Sequence, residues 1–212
     1  MPFPILIDAL DLMGTFVFAL SGAMLAVRRD LDIFGIVVLA VAAGLAGGLV
    51  RDMLLGAHPP AALADSRYLL TALAAGVTAF FLNRQIERVT KPVMVLDAVG
   101  LGLFAVAGTQ KALIFDIAAL PAIVLGILTA VGGGVVRDLL VTEVPRVLRE
   151  EVYALAALLG AAVVVATDRF QLPEGPMVVA AICLTVLVRV LSVWRGWQAP
   201  KAPKPPKPPR TP

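Results

Sequence analysis

Gly47-Gly48-Leu49-Val50-Arg51-Asp52 closes one long apolar run, and Gly133-Gly134-Val135-Val136-Arg137-Asp138 closes another 86 positions further on. Each block sets helix-loosening glycines directly before a cation and an anion. Both features are unfavourable beside lipid: the backbone must stay hydrogen-bonded there, and a charge at helix centre costs about 2.5–3.5 kcal/mol on insertion scales. A chain that keeps such a block twice, in matching places, builds a site there.

The same offset aligns Asp11 with Asp97, Gly14 with Gly100, Phe18 with Phe104, Gly22 with Gly108, Asp30 with Asp116 and Pro59 with Pro145. Matching leucines and valines carry little weight in so apolar a chain. The aspartates, arginines, glycines and prolines carry the argument, and they hold one register over roughly seventy residues. The first half of the chain is therefore an internal duplicate of the second.

Composition sets the class. The chain has 212 residues, 59% of them hydrophobic, with a mean hydropathy of +0.92. A soluble domain of this length cannot hide that much apolar surface, so the chain is a polytopic membrane protein. Cys183, the single cysteine, excludes an internal disulfide framework, and His58, the single histidine, is too little for a metal cluster. No structural metal and no cofactor is indicated. The net charge of +3 needs no nucleic acid to explain it, because the excess lies in loops and tail.

A helix needs about 20 apolar residues to cross the hydrocarbon. Seven stretches qualify: Ile5–Val27, Ile33–Leu55, Tyr68–Leu82, Val93–Leu113, Ala118–Leu140, Val152–Ala166 and Met177–Val193. The third and sixth are short and must borrow flanking residues. The first lacks a basic leader and is too long for a signal-peptide core, so it reads as a span. Each repeat then holds three spans. Three is odd, so the second repeat enters from the opposite side and the two are inverted. The expected fold is an all-α bundle of seven transmembrane helices: repeat units at 1–86 and 87–172, a seventh helix at 173–198, and a disordered basic Pro-rich tail at 199–212. That tail either fixes topology or attracts anionic lipid.

Orientation follows from the Lys and Arg near span ends. With the N-terminus outside, the cytoplasmic side holds Arg28, Arg29, Arg84, Arg88, Lys91, Arg137, Arg146, Arg149, Arg195 and the basic tail. The outer side holds only Arg51, Arg67, Lys111 and Arg169. The N-terminus is expected outside and the C-terminus in the cytoplasm.

The glycines, Gly47 and Gly48 in span two and Gly132, Gly133 and Gly134 in span five, read either as kinks or as close-packing contacts, and the Gly triplet favours kinks. Adjacent residues on a helix point apart, so Arg51 and Asp52 each need another partner. Asp11 lies at about the depth of Arg51, and Asp97 at the corresponding depth beside Arg137. The expected pairs are Asp11–Arg51 and Asp97–Arg137, leaving Asp52 and Asp138 nearer a water path; the alternative is that all six snorkel at the interface. Thr15, Ser21 and Thr109 either line the path or bond their own backbone. Lys111 either gates electrostatically or snorkels, and snorkelling is the expectation for Arg189 on span seven.

Seven spans as 3+3+1, with doubled Gly-Gly-x-Val-Arg-Asp blocks in spans two and five, resemble the trimeric intracellular cation channels. The chain is most similar to their prokaryotic homologues, bacterial membrane proteins that have also been labelled glycine transporters. The resemblance covers about Ile5 to Val193. It implies a homotrimer in the bacterial plasma membrane, surrounded by membrane lipids, with one pore per protomer for monovalent cations, mainly potassium. It also implies that spans two and five line that pore at their glycines. The Lys-Glu-Val motif of the animal members is not found here. A secondary transporter of a small solute such as glycine is the alternative, because inverted repeats serve carriers equally well. No nucleophile–base set supports an enzyme.

Overall fold

The structure, a computed structural model, describes residues 3–86, 88, 91–149 and 152–197. The basic tail expected at 199–212 lies outside these residues. The helices are α1 (Phe3–Arg28), α2 (Ile33–Leu54), α3 (Ala61–Ala64), α4 (Ser66–Ile86), α5 (Pro92–Ile114), α6 (Ala119–Leu140), α7 (Arg146–Arg149), α8 (Val152–Arg169) and α9 (Glu174–Arg195). Among the described residues, seven helices are long and apolar enough to cross a bilayer: α1, α2, α4, α5, α6, α8 and α9. The third and sixth spans do borrow flanking residues, reaching from Ser66 to Ile86 and from Val152 to Arg169.

The turns explain why the repeat keeps certain polar residues. Asp30 and Asp116 both take left-handed backbone, at φ 54° and 57°. Aspartate tolerates that region better than apolar residues do. Each lets the next residue close the helix end, with Leu31 N donating to Ala26 O and Ile117 N to Ala112 O, both at 3.1 Å. Asp32 then caps α2 by accepting from Gly35 N at 2.8 Å.

Two helices form the interior. In α1 and α5, 72% and 83% of the apolar window is buried inside the protein, against 22% in α4 and 28% in α9. α1 packs on α2, α4 and α5, and α5 on α6, α8 and α9, while α2 crosses α6. The contacts across the two units are reciprocal. A β-carbon on Gly14 would sit 2.7 Å from the Phe104 ring, and one on Gly100 would sit 2.7 Å from the Phe18 ring. A β-carbon on Gly47 would strike the Thr129 carbonyl oxygen, and one on Gly133 would strike that of Ala43. The repeat offset exchanges the members of each pair, and residue numbers rise on one helix as they fall on the other. Such exchange defines a local pseudo-twofold between antiparallel helices. Phe18 and Phe104 stack across it, with ring centroids 5.5 Å apart and both rings buried.

The glycine blocks do not interrupt the helical backbone. Helix α2 continues without interruption through Gly47-Gly48, and α6 through Gly132-Gly133-Gly134. Gly47 and Gly133 answer a packing demand: the two backbones approach so closely at the crossing that a side chain has no room.

Candidate functional site

Each end of the α2–α6 crossing carries a cluster of buried charge. In the first half-site, Arg51 reaches from α2 to Asp11 on α1. Its Nη1 donates to Asp11 Oδ1 at 2.6 Å and its Nη2 to Oδ2 at 2.7 Å. This is the bidentate fork that a guanidinium and a carboxylate favour. In the second, Arg137 Nη1 on α6 donates to Asp97 Oδ1 on α5 at 2.6 Å and to Ser21 Oγ on α1 at 2.7 Å. The pairs set by the repeat are brought together, and none of these charges lies at the surface: Asp11, Arg51, Asp97 and Arg137 are all buried.

Three details differ from the sequence expectation. Arg51 and Asp52 do not point apart, because Arg51 folds back so that its Nε donates to Asp52 Oδ1 at 2.8 Å; Arg137 Nε meets Asp138 Oδ1 at 2.9 Å in the same way. Nor are Asp52 and Asp138 left toward water. Asp52 Oδ1 also accepts from Lys111 Nζ at 2.8 Å, and Oδ2 from Ala61 N at 2.9 Å. Asp138 Oδ2 accepts from Arg146 N at 2.9 Å. Both carboxylates are buried and occupied. Arg189, third, does not snorkel: it is 2% exposed, with its guanidinium carbon 4.6 Å from the centroid of the Tyr153 ring.

The loop donors are residues that sequence reasoning missed. Helices α3 and α7 are single turns, each starting directly after a buried proline, Pro60 or Pro145. Their first backbone N–H groups have no helical partner and turn to Asp52 and Asp138. Pro60 is thus the structural counterpart of Pro145, which corrects the Pro59–Pro145 match. The connecting loop is one residue shorter in the second unit, so the offset drops from 86 to 85 beyond the Arg-Asp step. In the new register Tyr68 matches Tyr153. Both tyrosines are buried beside their half-sites, and neither was visible while the ungapped offset was kept.

Of the hydroxyl residues, Thr109 donates to its own helix at Ala105 O, 2.8 Å away, while Ser21 accepts from Arg137. Thr15 joins Asp11, Gly44, Gly48, Tyr68 and Phe104 around a cavity of about 10 Å³, the space of roughly one water. Outside it, Arg67 donates to Asp65, which holds that carboxyl below its usual range.

A bundle of this build, with two reciprocal antiparallel units and a buried ion-pair cluster at each end, belongs to the helical membrane proteins of channel and carrier type. Comparison with known proteins makes the assignment specific. A family model described as Glycine transporter matches twice, at residues 8–84 and 94–169. The chain is 38% identical over 186 residues to the UPF0126 inner membrane protein YadS of Escherichia coli K12, covering 87% of this chain and 90% of that protein. It is 43% identical over 156 residues to a UPF0126 membrane protein of Vibrio cholerae, a match spanning 73% of this chain and 65% of the relative's own length. Among solved structures it resembles the TRIC trimeric intracellular cation channel orthologue of Rhodobacter sphaeroides. The TM-score there is 0.83 at 37% identity, covering 90% of this chain and 98% of that one. The chain belongs to this family and is a prokaryotic homologue of the TRIC cation channels. It is an integral membrane protein of seven spans.

Proposed function

We propose that the protein is a potassium-preferring channel for monovalent cations. It works as a homotrimer in the bacterial plasma membrane, with the N-terminus outside and one path per protomer between the inverted units. The carrying observation is the placement of Asp11, Arg51 and Asp52 at one end of the α2–α6 crossing and of Asp97, Arg137 and Asp138 at the other, buried in a membrane bundle. Ionisable residues inside a membrane bundle are rare and costly, and they mark ion or substrate pathways and proton relays. The cation choice and the trimer are supported by likeness to the TRIC channels.

On this reading the path runs from the Thr15 and Tyr68 pocket past the stacked Phe18 and Phe104 rings to the second half-site. On the same reading a cavity of about 10 Å³ is too small to pass a hydrated ion, and the path is closed. Arg51 does not repel cations, because two carboxylates neutralise it. Lys111, 17% exposed, is placed to swing from Asp52 into water and leave a net negative mouth. Opening draws on the weak glycine interior of α2 and α6, at Gly47-Gly48 and Gly132 to Gly134.

Purified protein in planar bilayers should carry discrete unitary potassium currents. The family description favours a second reading, a carrier for a small solute such as glycine. Saturable, ion-coupled glycine uptake without unitary currents would establish the carrier and sink the channel.

A further inference from the structure

We infer that Arg189, on the seventh span outside the repeat, positions the tyrosine of the second half-site and adds a buried cation to the field on Asp97. Among the described residues, the fully buried charged side chains are Asp11, Arg51, Asp52, Asp97, Arg137, Asp138 and Arg189. The first half-site sets two carboxylates against Arg51 and Lys111. The second half-site has no copy of Lys111, because the offset of 86 puts the apolar Leu25 in its place; its part-buried outer cation is Arg146 of α7, whose N–H already bonds Asp138.

Helix α9 adds a cation that is fully buried. Thr185, Arg189 and Ser192 follow helical spacing on one buried face, turning the arginine into the bundle. Its guanidinium lies over the Tyr153 ring, 4.6 Å from the centroid. The phenol of that ring faces the ion pair. A β-carbon on Gly134 would lie 3.1 Å from Tyr153 Oη, 3.6 Å from Asp97 Oδ1 and 3.7 Å from Arg137 Nη2, so the three groups converge on one point. A cation held on an aromatic face in a water-poor site is strongly attracted to the ring, and its charge is little screened from neighbouring carboxylates. Arg189 therefore acts on Asp97 through Tyr153, as a positioning residue.

Melting of the full-length protein in detergent tests this without reference to transport. Arg189→Gln takes one buried cation away from Asp97, and Asp97→Asn removes the carboxylate on which that cation acts. The double variant should melt clearly above the sum of the two single losses, and Arg189→Lys should keep most of the wild-type melting temperature. Lys111→Gln with Asp97→Asn, at opposite ends, should be additive. A side chain that merely fills space predicts additivity in both cycles and no rescue by lysine, and that result overturns the inference. If Arg189→Gln does not assemble, recovery of assembly on adding Asp97→Asn supports the inference, and no recovery overturns it.

A current measurement deepens the proposed channel function and rests on it. In patches from giant bacterial spheroplasts, where all copies insert one way, Arg189→Gln and Lys111→Gln should rectify potassium current in opposite senses, by roughly two-fold. The same sense in both, or no rectification in Arg189→Gln, overturns the inference. A wild type without unitary currents removes the channel reading instead, and the melting cycle still decides the role of Arg189.

Discussion

The two half-sites begin from the same residues and are completed differently. Each pairs an arginine with an aspartate from the preceding repeat helix and with its own neighbour, and each receives one N–H from a single-turn helix behind a proline. The first is then closed by Lys111, a flexible amine at the rim. The second is closed by Ser21 and by an arginine held on Tyr153. One end can release its second cation to water, whereas the other has locked its cation into packing. A duplicated fold thus reaches asymmetry through residues the duplication did not copy.

Removing one carboxylate at each end should expose this difference most strongly. Asp97→Asn leaves Arg137 and Arg189 buried against Asp138 alone, the situation that costs about 3–5 kcal/mol when a buried pair is broken. Asp11→Asn leaves a similar excess, but Lys111 can move to solvent, so the loss should be smaller. Melting temperatures of the two variants check the order, and equal losses would erase the contrast drawn here. The exchange of Asp11→Arg with Arg51→Asp should recover part of the single losses, since both groups stay within reach of each other.

The glycine crossing should behave in the opposite way, as the symmetric part of the molecule. Gly47→Ala and Gly133→Ala each drive a β-carbon into a backbone carbonyl that no rotamer change can move. Each should cost about 1–3 kcal/mol, the range for overpacking, and by similar amounts. A large inequality would show that the pseudo-twofold does not govern this contact.

What could be read from the sequence divides along the same line. The span count followed from the length of the apolar runs, and the two Asp–Arg pairs from one offset applied to polar and glycine residues. Backbone geometry preserves those residues in both copies, as the left-handed turns at Asp30 and Asp116 show. The short helices, Tyr68 and Tyr153 were hidden by a single deleted residue in the connecting loop. Arg189 was hidden because nothing in the first unit corresponds to it. The glycines stayed ambiguous, since a pair that loosens a helix and a pair that admits a neighbouring backbone look alike until the neighbour is in place. Asp52 and Asp138 misled because Arg51 and Arg137 bend back to them along their own helices, and helical spacing describes only where a side chain starts.

Lys111→Gln should change stability little, by about 1 kcal/mol or less, because the ammonium is partly in water and Asp52 keeps its bonds from Arg51 and Ala61. Under the channel reading it should nonetheless raise potassium current, by leaving a net negative mouth. Unchanged current in single-channel records would take Lys111 out of the path.

The smallest effect separates the ends at one matched glycine pair. A β-carbon on Gly48 would find its nearest neighbour, Arg51 Nη2, at 3.8 Å, which is ordinary contact. Gly48→Ala should therefore be neutral or stabilising, up to about 1 kcal/mol from helix propensity alone. At Gly134 the same carbon would lie 3.1 Å from Tyr153 Oη. That ring cannot retreat without leaving its place beneath Arg189, so Gly134→Ala should lose the propensity gain and melt below Gly48→Ala. Equal melting of the two would mean that Tyr153 yields freely, and the second half-site would then be no more tightly locked than the first.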